Sequence, residues 1–183
     1  MRPSSRNLIL DAAIRVTERE GITGLTLESA AEEAGVTKGG LMYHFRTREE
    51  LLLAIQRHLT GAWEERLAAE LGKPLGEASA RETTAAYARV GTEAGASKAD
   101  LAFMVESATH PELAQVWNDL MNRWTPPTRS AEAQDVDLFL ARLAVDGLWL
   151  YEATSGVPAP GPVREALRQR LMALTEAEDT DAT

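Results

Sequence analysis

Residues 25–50, LTLESAAEEAGVTKGGLMYHFRTREE, carry the signals that decide the fold. Leu25, Leu27, Ala30, Ala31 and Ala34 set a helical apolar pattern, and the Thr26 hydroxyl stands where it caps the first turn. Gly35 stops that helix, because glycine takes the left-handed conformation of a C-terminal cap without steric cost. Thr37 then caps a second helix of about nine residues ending near Phe45. Thr47, with Glu50 three positions later, forms a capping box for a third. A helix, a glycine-containing turn and a short second helix make the helix-turn-helix plan, whose second helix enters a DNA major groove.

The short helix has two glycines, Gly39 and Gly40, where alanine is more favourable by roughly 1 kcal/mol each. Glycine there lets another surface come close to the backbone. Leu41 and Phe45, four apart, share one face and fix the helix to the core. Thr37, Lys38, Tyr43 and His44 are expected mainly at phosphates, with Gly39, Gly40 and Met42 nearest base edges. Thr26 and Leu27 offer backbone N–H groups to a further phosphate, and Arg48 adds a positive charge to the same side.

These residues resemble the DNA-binding domain of the TetR family of bacterial transcriptional regulators, over about residues 7 to 55. The matching pieces are Ile9-Leu10-Asp11-Ala12-Ala13, Gly21, Thr26-Leu27, Ala34-Gly35-Val36, Thr37 through Phe45, and Thr47-Arg48-Glu49-Glu50-Leu51-Leu52. The family commonly has Ser-Lys where Thr47-Arg48 stands, and Arg48 preserves the charge. The resemblance implies a nearly all-helical homodimer with an N-terminal DNA-binding domain and a C-terminal ligand-sensing domain. The expected division is residues 1–50 and 51–183.

The composition is that of a globular protein: 183 residues, 44% hydrophobic and 26% charged. No run is apolar enough to span a membrane and no signal region is present, which leads to the expectation of a cytoplasmic protein. Zero cysteines exclude disulfides. His44, His58 and His110 are scattered, so no metal-ligand cluster and no cofactor motif is expected. The net charge of −9 runs against DNA binding as a whole. Residues 1–50, however, hold seven basic and eight acidic side chains, which leaves −8 in the remainder. Arg2, Arg6, Lys38, Arg46 and Arg48 sit at helix ends, while Glu18, Glu20, Glu32 and Glu33 can face away. A local basic surface on an acidic body follows.

Along the chain helix follows helix, giving an all-α fold of about nine helices with no strand pattern. The expected spans are 5–20, 26–35, 37–45, 48–71, 80–93, 98–108, 111–124, 135–154 and 163–174. Leu8, Ala12 and Val16 mark the core stripe of the first, with Ile9 and Ala13 beside them. The eighth is apolar almost all round, and the ninth has a stripe of Val163, Leu167, Leu171 and Leu174 with Arg164, Arg168 and Arg170 outside it. Two such helices from each of two chains close a four-helix bundle, which predicts a homodimer through helices 8 and 9. A dimer also suits double-stranded operator DNA, because one short helix reads few base pairs.

A small-molecule effector is expected in the C-terminal part. Trp63, Phe103, Met104, Trp117, Met121 and Trp149 supply large, adaptable apolar surface. Asp146 and Glu106 add charge that attracts a cation favoured by the aromatics. Asp146 is the most unusual of these, because a bare carboxylate inside an apolar helix is costly unless paired, hydrated or functional. Ser107-Ala108-Thr109-His110-Pro111-Glu112, the spacing on to Trp117 and Trp124, and Asp146-Gly147-Leu148-Trp149 resemble a multidrug-responsive branch of the family. That resemblance implies release from DNA by lipophilic cations. A sensor of acyl chains or their coenzyme A esters on the same fold stands as an alternative, as does a ligand-binding protein that no longer binds DNA. Catalysis is not expected, since Ser107 near His110 forms no triad signature and no histidine has a motif around it.

Overall fold

The computed structural model describes residues 5–93, 95, 97–128 and 130–176. Among these the chain is all-helical: α1 (Ser5–Glu20), α2 (Leu27–Glu33), α3 (Lys38–His44), α4 (Arg48–Leu71), α5 (Ala80–Glu93), α6 (Lys98–Ser107), α7 (Pro111–Trp124), α8 (Ala133–Ser155) and α9 (Gly161–Glu176). Two short 3-10 turns, Ile22–Gly24 and Leu75–Glu77, join them, and neither was visible in the periodicity.

The helix boundaries follow local chemistry. Thr26 accepts the Ser29 N–H at 3.0 Å while the Ser29 hydroxyl accepts the Thr26 N–H at 2.9 Å, a reciprocal box around the start of α2. Thr37 accepts the Gly40 N–H at 3.1 Å to open α3. At α4 Thr47 caps the Glu50 N–H at 3.1 Å, and the Glu50 carboxylate reaches back to the Arg46 N–H at 2.7 Å. Gly35 and Gly156, both at φ 66°, end α2 and α8 in the left-handed conformation.

The described residues fall into two compact units. The first comprises the chain through Ala62 together with Ser97–Asn118, and the second holds the rest. The backbone of α4 passes from one to the other at Ala62–Trp63, and that of α7 at Asn118–Asp119. The first unit therefore takes in α6 and the start of α7 as well as the helix-turn-helix.

The first unit closes around Ile9, Leu10, Ala13 and Val16 of α1, with Leu25, Leu41, Phe45, Leu52, Ile55 and Phe103. Leu8 is a correction to the sequence expectation, for it is half-exposed, while the expected Ile9, Ala12, Ala13 and Val16 are buried. That stripe keeps the three-then-four spacing of one helix face, and Leu8 lies off it.

The second unit has its own core of Leu67, Tyr87, Leu120, Met121, Trp124, Val145 and Leu171, with α5 packed against α8 and α9. A Cβ added to Gly91 of α5 would collide with the Val145 side chain, so glycine sets the closeness of that crossing. Arg164 is a second correction: it is not on the outer side of α9. Its guanidinium donates to Thr92 O at 2.8 Å and pairs with Glu152, which is 5% exposed and also accepts the Ala159 N–H at 2.7 Å. A buried carboxylate persists only when paired and hydrogen-bonded in this way.

Candidate nucleic-acid interface and sensing residues

One face of α3 is packed and the other is bare. Leu41 and Phe45 are buried, whereas Met42 is exposed and Tyr43 is 85% exposed. A phenol that open is outside the core; among the described residues its ring meets the edge of His44, with centroids 5.1 Å apart. A Cβ on Gly39 would meet nothing within 4 Å, so no packing inside the chain requires glycine there. Lys38 pairs with Glu28 of α2, and its ammonium holds the Glu28 carboxyl below its ordinary pKa. The Arg6 guanidinium lies 5.2 Å above the Phe45 ring, which puts a further positive charge beside the end of α3. Arg15 and Arg19 are both taken up by Glu33.

Arg48 has a different position from the rest of this set. Its Nε donates to Leu25 O and its Nη2 to Ile22 O, each at 2.9 Å, and Nη1 lies 3.7 Å from Glu106. The guanidinium is thus engaged with the segment that leads into α2. Thr26 likewise has its own N–H taken by Ser29, while Leu27 is half-buried at the start of α2.

The eight expected ligand residues divide between the units. Phe103, Met104, Glu106 and Trp117 lie in the first. There Phe103 is in the core, Met104 and Trp117 are exposed, and Glu106 sits between Arg48 and His110. Trp63, Met121, Asp146 and Trp149 lie in the second. Met121 is buried, Trp149 half-buried, and Trp63 packs edge-on to Tyr87 at 6.2 Å between centroids. The Tyr87 hydroxyl donates to Asp146 Oδ1, and Arg142 Nε lies 3.5 Å from Oδ2. Burial, and then the Asp146 charge, pushes the Tyr87 phenol well above its ordinary pKa, so it stays protonated as a donor. The Trp63 indole N–H is buried with no hydrogen-bond partner among the described residues. Such a donor is uncommon in a folded protein.

Tyr87 was missed in the sequence because it stands alone among alanines and threonines, with nothing to tie it to Asp146. Arg142 was a surface-type residue four positions before Asp146, and that i,i+4 spacing was its only signal.

The family models agree with both halves of this arrangement. Residues 9–55 match the model described as bacterial regulatory proteins, tetR family, and residues 81–176 match the tetracyclin repressor-like C-terminal domain. The HTH-type transcriptional regulator BetI of Cronobacter sakazakii is 29% identical over 170 residues, covering 86% of this chain and 84% of that protein. Among solved structures, the multidrug binding protein EbrR complexed with imidazole aligns over 98% of this chain and 99% of its own, at 26% identity and a TM-score of 0.65. EbrR complexed with ethidium aligns over 93% and 98%, at 27% identity and a TM-score of 0.60. With its two family models, its helix-turn-helix and its helical C-terminal part, this chain belongs to the TetR family of transcriptional regulators.

Proposed function

We propose that the protein is a repressor that holds a near-palindromic operator as a homodimer and is released by a lipophilic cation. The DNA assignment rests above all on Tyr43, an aromatic side chain left 85% exposed on the same short helix as Gly39, a glycine that no internal packing demands. Thr37, Lys38, Tyr43 and His44 contact phosphates, while Gly39, Gly40 and Met42 approach base edges. Lys38 exchanges Glu28 for phosphate on binding. Arg48 acts as a clamp that holds Thr26 and the start of α2 in place.

The dimer uses the second apolar stripe of α8. Leu138, Ala141, Val145 and Leu148 face the core, whereas Val136, Leu140, Leu143 and Leu150 are exposed at the complementary spacing, with Gly147 between them. A helix with two apolar seams needs a second partner, and the same seam of another copy, joined by α9, supplies it.

For the effector, Trp63, Tyr87 and Asp146 are the centre of the reading. A cation bound there gains aromatic faces and a carboxylate already oriented by the Tyr87 hydroxyl. Ethidium, a flat aromatic cation, is bound by the related EbrR. The backbone of α4 carries Trp63 and leads back to Arg48, so a ligand that favours one setting of α4 alters the placing of the reading heads. A 100-fold loss of DNA affinity requires about 2.7 kcal/mol of coupling. The test is a tryptophan-fluorescence titration with tetraphenylphosphonium, which does not intercalate, alongside gel shifts on a duplex selected by the protein from a random pool. Binding that weakens at least tenfold in Asp146→Asn, with release of the duplex in the wild type, supports the reading. Binding without release removes the switch, and undiminished binding in Asp146→Asn removes the site.

A further inference from the structure

The second unit contains an open hollow of about 420 Å³ whose walls include none of Trp63, Tyr87 or Asp146. Small-molecule sites commonly measure ~300–1,000 Å³. Pro126 and Pro127, just after α7, form one wall with Leu138 and Phe139 of α8. The two prolines are stiff and carry no backbone N–H donor, though each keeps its carbonyl acceptor. Polar groups line it as well. Arg142, on the same face of α8 as Leu138, lines the hollow and is mostly buried. Its Nη1 donates to Thr125 O at 2.8 Å and its Nε faces Asp146, which engages two nitrogens of a group with five N–H donors. Thr84 of α5 also lines the hollow, is 4% exposed, and makes no hydrogen bond through its hydroxyl among the described residues. Asp135 lines the hollow too, seven residues before Arg142 and so about 10 Å away along the helix axis.

We propose that this hollow is a second ligand site, specific for a small apolar monocarboxylate. The carboxylate accepts from the Arg142 guanidinium and the Thr84 hydroxyl, in bonds strengthened by charge. The hydrocarbon lies over Pro126, Pro127, Leu138 and Phe139. Asp135 repels a second negative group at the far end, so a dicarboxylate of equal length is excluded.

Calorimetry on the full chain with octanoate, octanamide and octanedioate tests this. Octanoate binds, while the amide and the diacid bind at least tenfold more weakly. Arg142→Gln abolishes octanoate binding; because Arg142 also braces Thr125 and Asp146, the second variant is Thr84→Val, which keeps volume and weakens octanoate about fivefold. Octanamide binding as tightly as octanoate, or Thr84→Val leaving octanoate unchanged, overturns the proposal. Saturating tetraphenylphosphonium leaves octanoate binding in place, and competition between the two overturns the claim of a second site. A failure here leaves the tetraphenylphosphonium titration, and the reading it tests, untouched.

Discussion

Replacing Arg48 with methionine separates two roles that a single basic residue can play. Methionine keeps much of the hydrophobic stem but removes both bonds to Ile22 O and Leu25 O and the approach to Glu106. Hydrogen bonds from a charged donor contribute roughly 1.5–3 kcal/mol each. The Arg48 side chain is about one-third exposed, so the lower end applies and water replaces part of the loss. Arg48→Met therefore destabilises the first unit by about 2 kcal/mol, which lowers the melting temperature by ~4–8 °C. Operator affinity falls as well, because the segment entering α2 loses its clamp. The decisive quantity is the salt dependence. Each phosphate contact contributes about 0.9 to the slope of log K against log salt, so two Arg48 side chains at phosphates would remove ~1.8 per dimer. Fluorescence anisotropy from 50 to 300 mM salt should instead give parallel lines for the wild type and Arg48→Met. A slope reduced by ~1.8, with an unchanged melting temperature, would refute the clamp and return Arg48 to the DNA face.

Other substitutions test the remaining parts. Tyr43→Ala leaves the melting temperature within about 1 °C, since the ring is outside the core, and weakens operator binding at least tenfold by anisotropy. Lys38→Ala reduces the salt slope by ~1.8 per dimer, unlike Arg48→Met. Leu143→Arg puts a charge into the outer seam of α8 and should give monomers in sedimentation at micromolar concentration, with loss of operator binding. Gly91→Ala forces a methyl against Val145 and should cost ~1–3 kcal/mol in denaturant unfolding.

The helices were legible because their ends are local events. Thr26, Thr37 and Thr47 each bond to an N–H or side chain three residues on, and Gly35 and Gly156 each need only their own φ. The face of α3 was legible for the same reason, since Leu41 and Phe45 fix which side is buried. What the sequence hid are partners distant along the chain. Arg48 meets carbonyls 23 and 26 residues earlier, Tyr87 meets Asp146 59 residues later, and Arg164 reaches Thr92 72 residues back. No periodicity encodes such pairs, so Arg48 read as surface charge and Arg164 as an outer residue of α9. The α1 stripe shows the smaller limit: Leu8 and Ile9 both read as core in sequence, and only packing leaves Leu8 outside it.

On the proposed function, one unit reads DNA, the other binds a ligand, and the two events oppose each other. Linkage makes this directly measurable, because the factor by which ligand weakens operator binding must equal the factor by which operator weakens ligand binding. Tetraphenylphosphonium affinity measured with and without saturating operator, beside operator affinity measured with and without saturating tetraphenylphosphonium, gives both factors. The two factors should be equal and tenfold or more. Tight binding of each ligand with both factors at one would contradict it.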